Sequence, residues 1–362
     1  MSDLVLPPTL EQITPDWMNR VFANGIGRDG PRVRNLTTTI IGDELGFLSL
    51  VARLDLTYDG ARGDLPASVV AKLEPATGVS VITAQETRAF EREVKFYREI
   101  APDIDMRLPR IFFAETSPEA SIIVMEDLGD LVSYDQVRGL SHEHVLAAVR
   151  AIARLHAHHW NNRDLLEKPW LPLHDHFFDV GFEKLWSPFV EVYGLRIGRE
   201  ARYLGERVAR HLRWIEARIA ERPLTLIHGD FRADNILFGS SGAPGDVLVL
   251  DWQLGNLSLA TIDVARLLGG SEPIAERQGH QYEVLEAWHS ALVDNGVRDY
   301  SYADALYDLR LGALYSLFVP VRVMDLAKGG QGTRSARLLD ATAQRQFASA
   351  LELEAGQILP TD

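Results

Sequence analysis

The sequence predicts an α+β protein of two lobes, one of strands plus a helix and one mainly helical. Three observations carry that expectation. A chain of 362 residues is too long for one small core and about right for two. Its first third contains short runs rich in Val, Ile, Leu and Thr, bounded by Gly, Pro and Asp, as strands are. From about Ser141 the pattern turns helical, and a composition shift at Glu126 to Asp130 marks the boundary. The expected division is therefore 1–125, a connecting segment 126–130, and 131–362.

Taken in order, Thr37 to Ile41, Ser49 to Thr57 and Ser68 to Leu73 read as strands. Glu86 to Ile100 reads as a helix, because Phe90, Val94 and Tyr97 recur at spacings of four and three and share one face. Ile111 to Glu115 and Ser121 to Met125 are two further strands. Val145 to His159, with Ile152 and Leu155, opens the helical part. One strand–loop–strand stretch interrupts it, Leu224 to His228 followed by Val247 to Leu250. The KGGQGT stretch Lys328 to Thr333 is expected to be mobile.

Composition excludes several classes of function. Lys plus Arg is 37 and Asp plus Glu is 51, a net charge of −14. That balance disfavours a nucleic-acid binder, which needs a basic face to replace phosphate counterions, and a protein held to anionic membrane by charge. Cysteine is absent, which removes disulfides, thiolate metal sites and cysteine nucleophiles. No apolar run approaches membrane-spanning length, and Met1 to Leu10 lacks the layout of a signal peptide, so a cytoplasmic location is expected.

The strongest chemical signal is LIHGDFRADNIL, Leu226 to Leu237. Asp230 is followed five residues later by Asn235, and Asp251 closes the apolar strand VLVLD sixteen residues further on. Phosphoryl transfer requires little covalent help. It requires a carboxylate to orient the attacking hydroxyl, hard oxygen ligands for Mg²⁺, and a cation on the phosphates. An Asp, an Asn five on and a strand-borne Asp supply the first two. The H-G-D-x-x-x-x-N pattern alone arises by chance in roughly one chain in several hundred, so the strand-borne aspartate adds discrimination.

Together with VVAKL (Val69 to Leu73), EREVKFYREI (Glu91 to Ile100), IVMEDLGD (Ile123 to Asp130), ARLHAHHW (Ala153 to Trp160) and LDWQ, these motifs occur in a family order over roughly residues 35–270. The chain resembles the aminoglycoside phosphotransferase and choline kinase group of the protein-kinase-like fold, and within it the ecdysteroid kinase-like branch. The resemblance implies an antiparallel N-terminal sheet that binds ATP, and a C-terminal lobe with the catalytic loop and acceptor pocket. It implies Asp230 as catalytic base and Asn235 and Asp251 as Mg²⁺ ligands. It implies Lys72 on the α and β phosphates, with Glu93 as its partner and Glu86 as a rival. Gly42 and Gly46 in IGDELGFLS resemble the loop over the triphosphate, though without the G-x-G-x-x-G pattern. Main chain at Glu126 to Leu128 would meet the adenine. His228 is expected to brace the loop, and Asp263 in TIDVARLL to hydrogen-bond it. The histidines His156, His158, His159, His174 and His176 lack the i, i+4 pair with an intervening Glu that zinc enzymes use. Trp252 is expected to pack.

A protein kinase would carry D-F-G and A-P-E around a peptide platform. Here Asp251 is followed by Trp-Gln, and no A-P-E follows. A small-molecule hydroxyl substrate is expected instead. Residues 160–222 hold ten acidic and eleven basic side chains and ten aromatics, from Trp160 to Trp214. That composition favours an apolar or ring-containing alcohol, steroid-like or hydroxyacyl, unless the aromatics are lobe core. An aminoglycoside or choline-type kinase is the alternative, and a catalytically silent nucleotide-binding scaffold is the reading of another class. A monomer or weak dimer is expected.

Overall fold

The computed structural model of the chain describes residues 4–25, 31–41, 49–74, 88–174, 181–326 and 333–361. Gly42, Gly46, Glu86, His176 and most of Lys328 to Thr333 therefore lie outside the described residues. The chain divides into two compact units, Met1–Asp103 with Leu108–Asp130, and Ile104–Arg107 with Leu131–Asp362.

The first unit is built on a five-stranded antiparallel sheet in the order β1-β2-β3-β5-β4. Its strands are β1 (Val33–Ile40), β2 (Leu50–Tyr58), β3 (Ser68–Leu73), β4 (Ile111–Thr116) and β5 (Ser121–Glu126). In β2 the period of two is plain: Ala52, Leu54 and Leu56 are buried, whereas Arg53, Asp55 and Thr57 are exposed. β5 is buried from Ser121 to Met125, as a strand with both faces covered should be. One face packs on α1 (Pro15–Gly25) through Trp17, Met18, Val21 and Phe22. That helix was not expected from the sequence. Its signals are Pro15 at the first helical position and Thr14 Oγ1 accepting from the Trp17 amide at 3.2 Å. The other face carries Lys72 and meets α2 (Ala89–Glu99). The α2 residues Phe90, Val94 and Tyr97 are buried, as the sequence stripe predicts. The helix starts at Ala89, after Arg88 in the left-handed region (φ 51°).

The second unit is mainly helical. Its helices are α3 (His142–His158), α4 (Phe182–Ile197), α5 (Arg199–Arg210), α6 (Leu212–Ala220), α7 (Thr261–Ser271), α8 (Ile274–Arg277), α9 (Gln281–Asp294), α10 (Tyr302–Ser316), α11 (Phe318–Leu326) and α12 (Thr333–Glu352). A ribbon of β6 (Val132–Ser133), β8 (Ile236–Phe238) and β9 (Val247–Val249), and a pair of β7 (Leu224–Ile227) with β10 (Asn256–Leu259), complete it. Every residue of α7 is buried, which makes it the axis of this unit. α10 approaches it so closely that a Cβ on Gly312 would lie 2.5 Å from the Thr261 carbonyl oxygen. The α+β architecture is the one the sequence predicts.

The aromatic stretch has a structural use. Phe182, Trp186, Phe189 and Tyr193 stack along α4 with centroid spacings of 5.7, 5.7 and 5.1 Å. Phe347 of α12 and Phe318 of α11 close on this ladder. All six rings are buried. The core alternative set out above is therefore the correct one for these four side chains of the stretch, whose hydrophobic area is spent on packing α4 against α11 and α12.

Candidate functional site

In the first unit, Lys72 sits in the middle of the sheet, paired across to Val51 on β2 and Ile123 on β5. Its neighbours Ala71 and Leu73 point into the α1-side core, so Lys72 points to the opposite face. There its Nζ lies 2.7 Å from Glu93 Oε2 on α2. Both side chains are buried, at 7% and 1% exposure, which is where an unpaired charge would be costly. The unit ends in a braced segment. The Glu126 amide donates to the Arg110 carbonyl at 2.9 Å, so of the main-chain groups expected to meet adenine this one is already engaged. Glu126 Oε1 accepts from the Arg110 amide, and Asp127 Oδ2 accepts from Ser68 Oγ at 2.6 Å. Asp127 Oδ1 accepts from the Gly129 amide at 3.0 Å, closing an Asx turn around Leu128 just after β5 ends.

In the second unit, the H-G-D loop leaves β7 and is held from below by Asp263 on α7. Asp263 Oδ2 accepts from the His228 amide at 2.7 Å, and Oδ1 from the Gly229 amide at 2.9 Å. His156 Nε2 reaches the same carboxylate at 3.2 Å, while its Nδ1 accepts from Trp288 Nε1 at 3.1 Å. The indole fixes the tautomer, because only an unprotonated Nδ1 accepts and Nε2 must then carry the proton. His156, His228, Asp263 and Trp288 are all buried. Gly229 takes φ +81°, and a Cβ there would lie 2.2 Å from the Leu254 carbonyl oxygen. Only glycine fits that turn.

His228 uses both ring nitrogens: Nδ1 accepts from the Asp230 amide at 3.2 Å, and Nε2 donates to the Leu250 carbonyl at 2.7 Å. It thus ties the loop to the residue before Asp251. A second tie runs from the Leu250 amide to the Asn235 carbonyl at 2.9 Å, continuing the β8–β9 register in which Ile236 faces Val249. Asp230, Asn235 and Asp251 therefore gather at one end of a single ribbon. Asn235 Nδ2 donates to the Asp230 carbonyl at 2.9 Å and lies 3.4 Å from Asp230 Oδ2. With the amide nitrogen so engaged, Asn235 Oδ1 is the end left for a cation. Asp251 occupies the left-handed region, φ 66° and ψ 65°. For a residue other than glycine that conformation costs about 1 kcal/mol or more, strain of the kind that collects at working sites. An amide oxygen and a carboxylate are hard donors that fit Mg²⁺.

Two arginines complete the site. Arg232 Nε lies 2.9 Å from Asp230 Oδ2, and Arg266 Nη2 and Nε lie 2.9 and 3.1 Å from Oδ1. Burial pushes the Asp230 carboxyl up, but the Arg232 and Arg266 guanidinium groups outweigh it and hold the group well below the usual carboxylate range. Arg232 also donates to Asp234, whose Oδ1 accepts from the Gln136 amide at 2.9 Å. Gln136 Oε1 in turn accepts from the Ala233 amide at 2.8 Å, and Arg345 of α12 donates to the Gln136 carbonyl at 2.7 Å. Sequence reasoning missed Arg232, Arg266, Gln136 and Arg345. Arg232 lies inside the motif and could have been found there. Arg266 stands one helical turn after Asp263 on the same helix, a spacing that puts both under the loop.

The model of the ecdysteroid kinase-like family matches residues 44–299. No curated protein matches the sequence. Among solved structures, a microcompartment-associated aminopropanol kinase is similar over 90% of this chain and 95% of its own, with 14% identity and a TM-score of 0.55. A choline kinase from Cryptosporidium parvum Iowa II is similar over 94% and 95%, with 11% identity and a TM-score of 0.54. An aminoglycoside 2'-phosphotransferase-IIIa, solved with GDP, is similar over 92% and 98%, with 13% identity and a TM-score of 0.53. At these identities the likeness is one of fold.

Proposed function

Since the chain belongs to the ecdysteroid kinase-like family, we propose that it is an ATP-dependent kinase that phosphorylates a hydroxyl group of a small molecule. The observation that carries this reading is the gathering of Asp230, Asn235 and Asp251 at one end of the β8–β9 ribbon, on a loop fixed by Asp263. Lys72, positioned by Glu93, is assigned to the α and β phosphates, and the main chain of Glu126 to Leu128 to the adenine. Asn235 and Asp251 would hold Mg²⁺, which supplies charge compensation on the phosphate oxygens when bound.

Asp230 accepts a hydrogen bond from the substrate hydroxyl and aims its oxygen at the γ-phosphorus. As the new O–P bond forms and the bond to the β-phosphate oxygen breaks, the hydroxyl proton passes to Asp230, leaving phosphoester and ADP. A carboxylate held this far below its usual pKa is a weak base. Its main contribution is orientation, and proton transfer comes late, as a loose phosphoryl transition state permits. Arg232 and Arg266 keep the carboxylate ionised and in place.

For the acceptor we propose an apolar or ring-containing alcohol, steroid-like or hydroxyacyl. The family's description names ecdysteroids, and the 160–222 segment is nearly balanced in charge, whereas a polycation calls for an excess of carboxylates. The aromatics of α4 do not add to this argument, since they are core. The test is turnover of purified full-length chain with Mg²⁺ and ATP against sterols, hydroxyacyl thioesters, choline and aminoglycosides. Selective phosphorylation of a sterol or hydroxyacyl compound, lost in Asp230→Asn, supports the proposal. Preference for an aminoglycoside or choline overturns the acceptor class. Mg²⁺-dependent ATP binding without any product overturns the activity.

A further inference from the structure

Where three helix ends of the second unit meet, the side chains assemble a set of metal-binding type that the kinase chemistry does not use. His142 opens α3, Glu272 follows α7, and His280 and Glu283 lie at the start of α9. Single ligand atoms of His142, His280 and Glu283 all lie within 4.8 Å of one another. The two imidazole rings tilt together with centroids 5.0 Å apart. Glu283 Oε1 is 3.0 Å from His280 Nδ1, and its Oε2 is 3.3 Å from His142 Nε2.

Glu272 gives this cluster its direction. It is fully buried, and its Oε1 lies 2.8 Å from His142 Nδ1. A carboxylate accepts, so Nδ1 carries the proton and Nε2 is the nitrogen turned toward His280 and Glu283. This carboxylate–imidazole arrangement fixes a histidine's tautomer and raises its basicity as a ligand. Among the described residues, the second oxygen of Glu272 is buried without a hydrogen-bond partner. A carboxylate in that setting is better stabilised beside an imidazole that itself bears a metal. We propose that His142 Nε2, His280 Nδ1 and a Glu283 oxygen bind one Zn²⁺ ion, with water as fourth ligand and Glu272 orienting His142.

The geometry requires little movement. Tetrahedral zinc at about 2.0–2.1 Å from each ligand sets the ligand atoms roughly 3.3 Å apart. His280 and Glu283 are 51% and 56% exposed, so their side chains can close the remaining distance without disturbing the core. Two imidazoles and one carboxylate suit a borderline ion such as zinc better than Mg²⁺ or Ca²⁺, which prefer oxygen. The ion would staple α3 and α9 beside the end of α7, and α3 and α7 supply His156 and Asp263 to the H-G-D loop.

The test is zinc titration of tag-free, chelator-stripped full-length chain in excess Mg²⁺, read by competition with a chromophoric chelator and by thermal unfolding. One ion per chain is expected, with midpoint raised by roughly 5 °C at zinc a hundredfold above its dissociation constant. Co²⁺ should give the intense visible bands of a four-coordinate site. His280→Ala and Glu283→Ala, both at exposed positions, should each weaken zinc at least tenfold and abolish the cobalt bands. Glu272→Gln should weaken it about tenfold with the ligands intact. Unchanged zinc affinity in the His280→Ala, Glu283→Ala double variant, or no stoichiometric binding to the wild type, overturns the proposal.

Discussion

Asp230 is poised as a carboxylate that stays ionised. Its folded pKa lies below its unfolded value, so its ion pairs stabilise the fold above the unfolded pKa, and that stability is lost as pH falls through the folded one. The rate profile should accordingly show no Asp230 inflection between pH 5 and 8. Arg266→Gln removes one of the two guanidinium groups, so the acid limb of kcat should move toward neutrality, a shift that general loosening of the fold would not produce. Asp230→Asn should lower kcat by several orders of magnitude and leave ATP affinity nearly unchanged, as calorimetry would report. Asp251→Ala should instead abolish Mg²⁺-dependent ATP affinity; equal loss in both variants would refute the assigned roles. At this scale the sequence was informative about which residues a local spacing brings together, as in Asp230 and Asn235. It was silent on Gln136, which reaches the loop from 97 residues away, and on Arg345, which holds the Gln136 carbonyl from 209 residues away; neither carries a motif of its own.

Among the elements, α7 and the glycine turn bear most of the site's precision. Asp263→Asn leaves the loop amides with one good acceptor where there were two and should cost about 2–3 kcal/mol, measurable in denaturant unfolding. Gly229→Ala meets both a wrong φ and the Leu254 carbonyl; turnover should fall more than stability, because the loop can escape only by shifting Asp230. Element positions were largely readable: β3 spans the very residues the sequence predicts, and β4 and β5 differ by one. The short strands β8 and β10 were not, since three or four residues within a polar motif carry too little alternation to register. The aromatic stretch offers a sharper lesson. Phe182, Trp186, Phe189 and Tyr193 step by four, three and four, which is the spacing of a core-facing helical stripe, and the structure uses them so. Phe347→Ala should then cost about 3–5 kcal/mol while leaving the acceptor preference unaltered.

For the molecule as a whole, the net charge of −14 sets how substrates of different charge are received. The KM for an uncharged alcohol should scarcely respond to salt between 20 and 300 mM, whereas attraction of a polycation by an acidic protein would fade steeply over that range. Steady-state kinetics at two ionic strengths separates the cases. The α+β class was visible in composition, because a change from strand-like to helix-like periodicity is spread over hundreds of residues and survives local errors. Finally, Trp252 follows Asp251 directly, is wholly enclosed, and its ring centre is 4.7 Å from that of His228. An indole lodged there is a built-in optical probe: its emission should respond when nucleotide and magnesium arrive. A Trp252→Phe subtraction against the other six tryptophans would isolate that signal, so occupancy could be followed in real time without any attached dye.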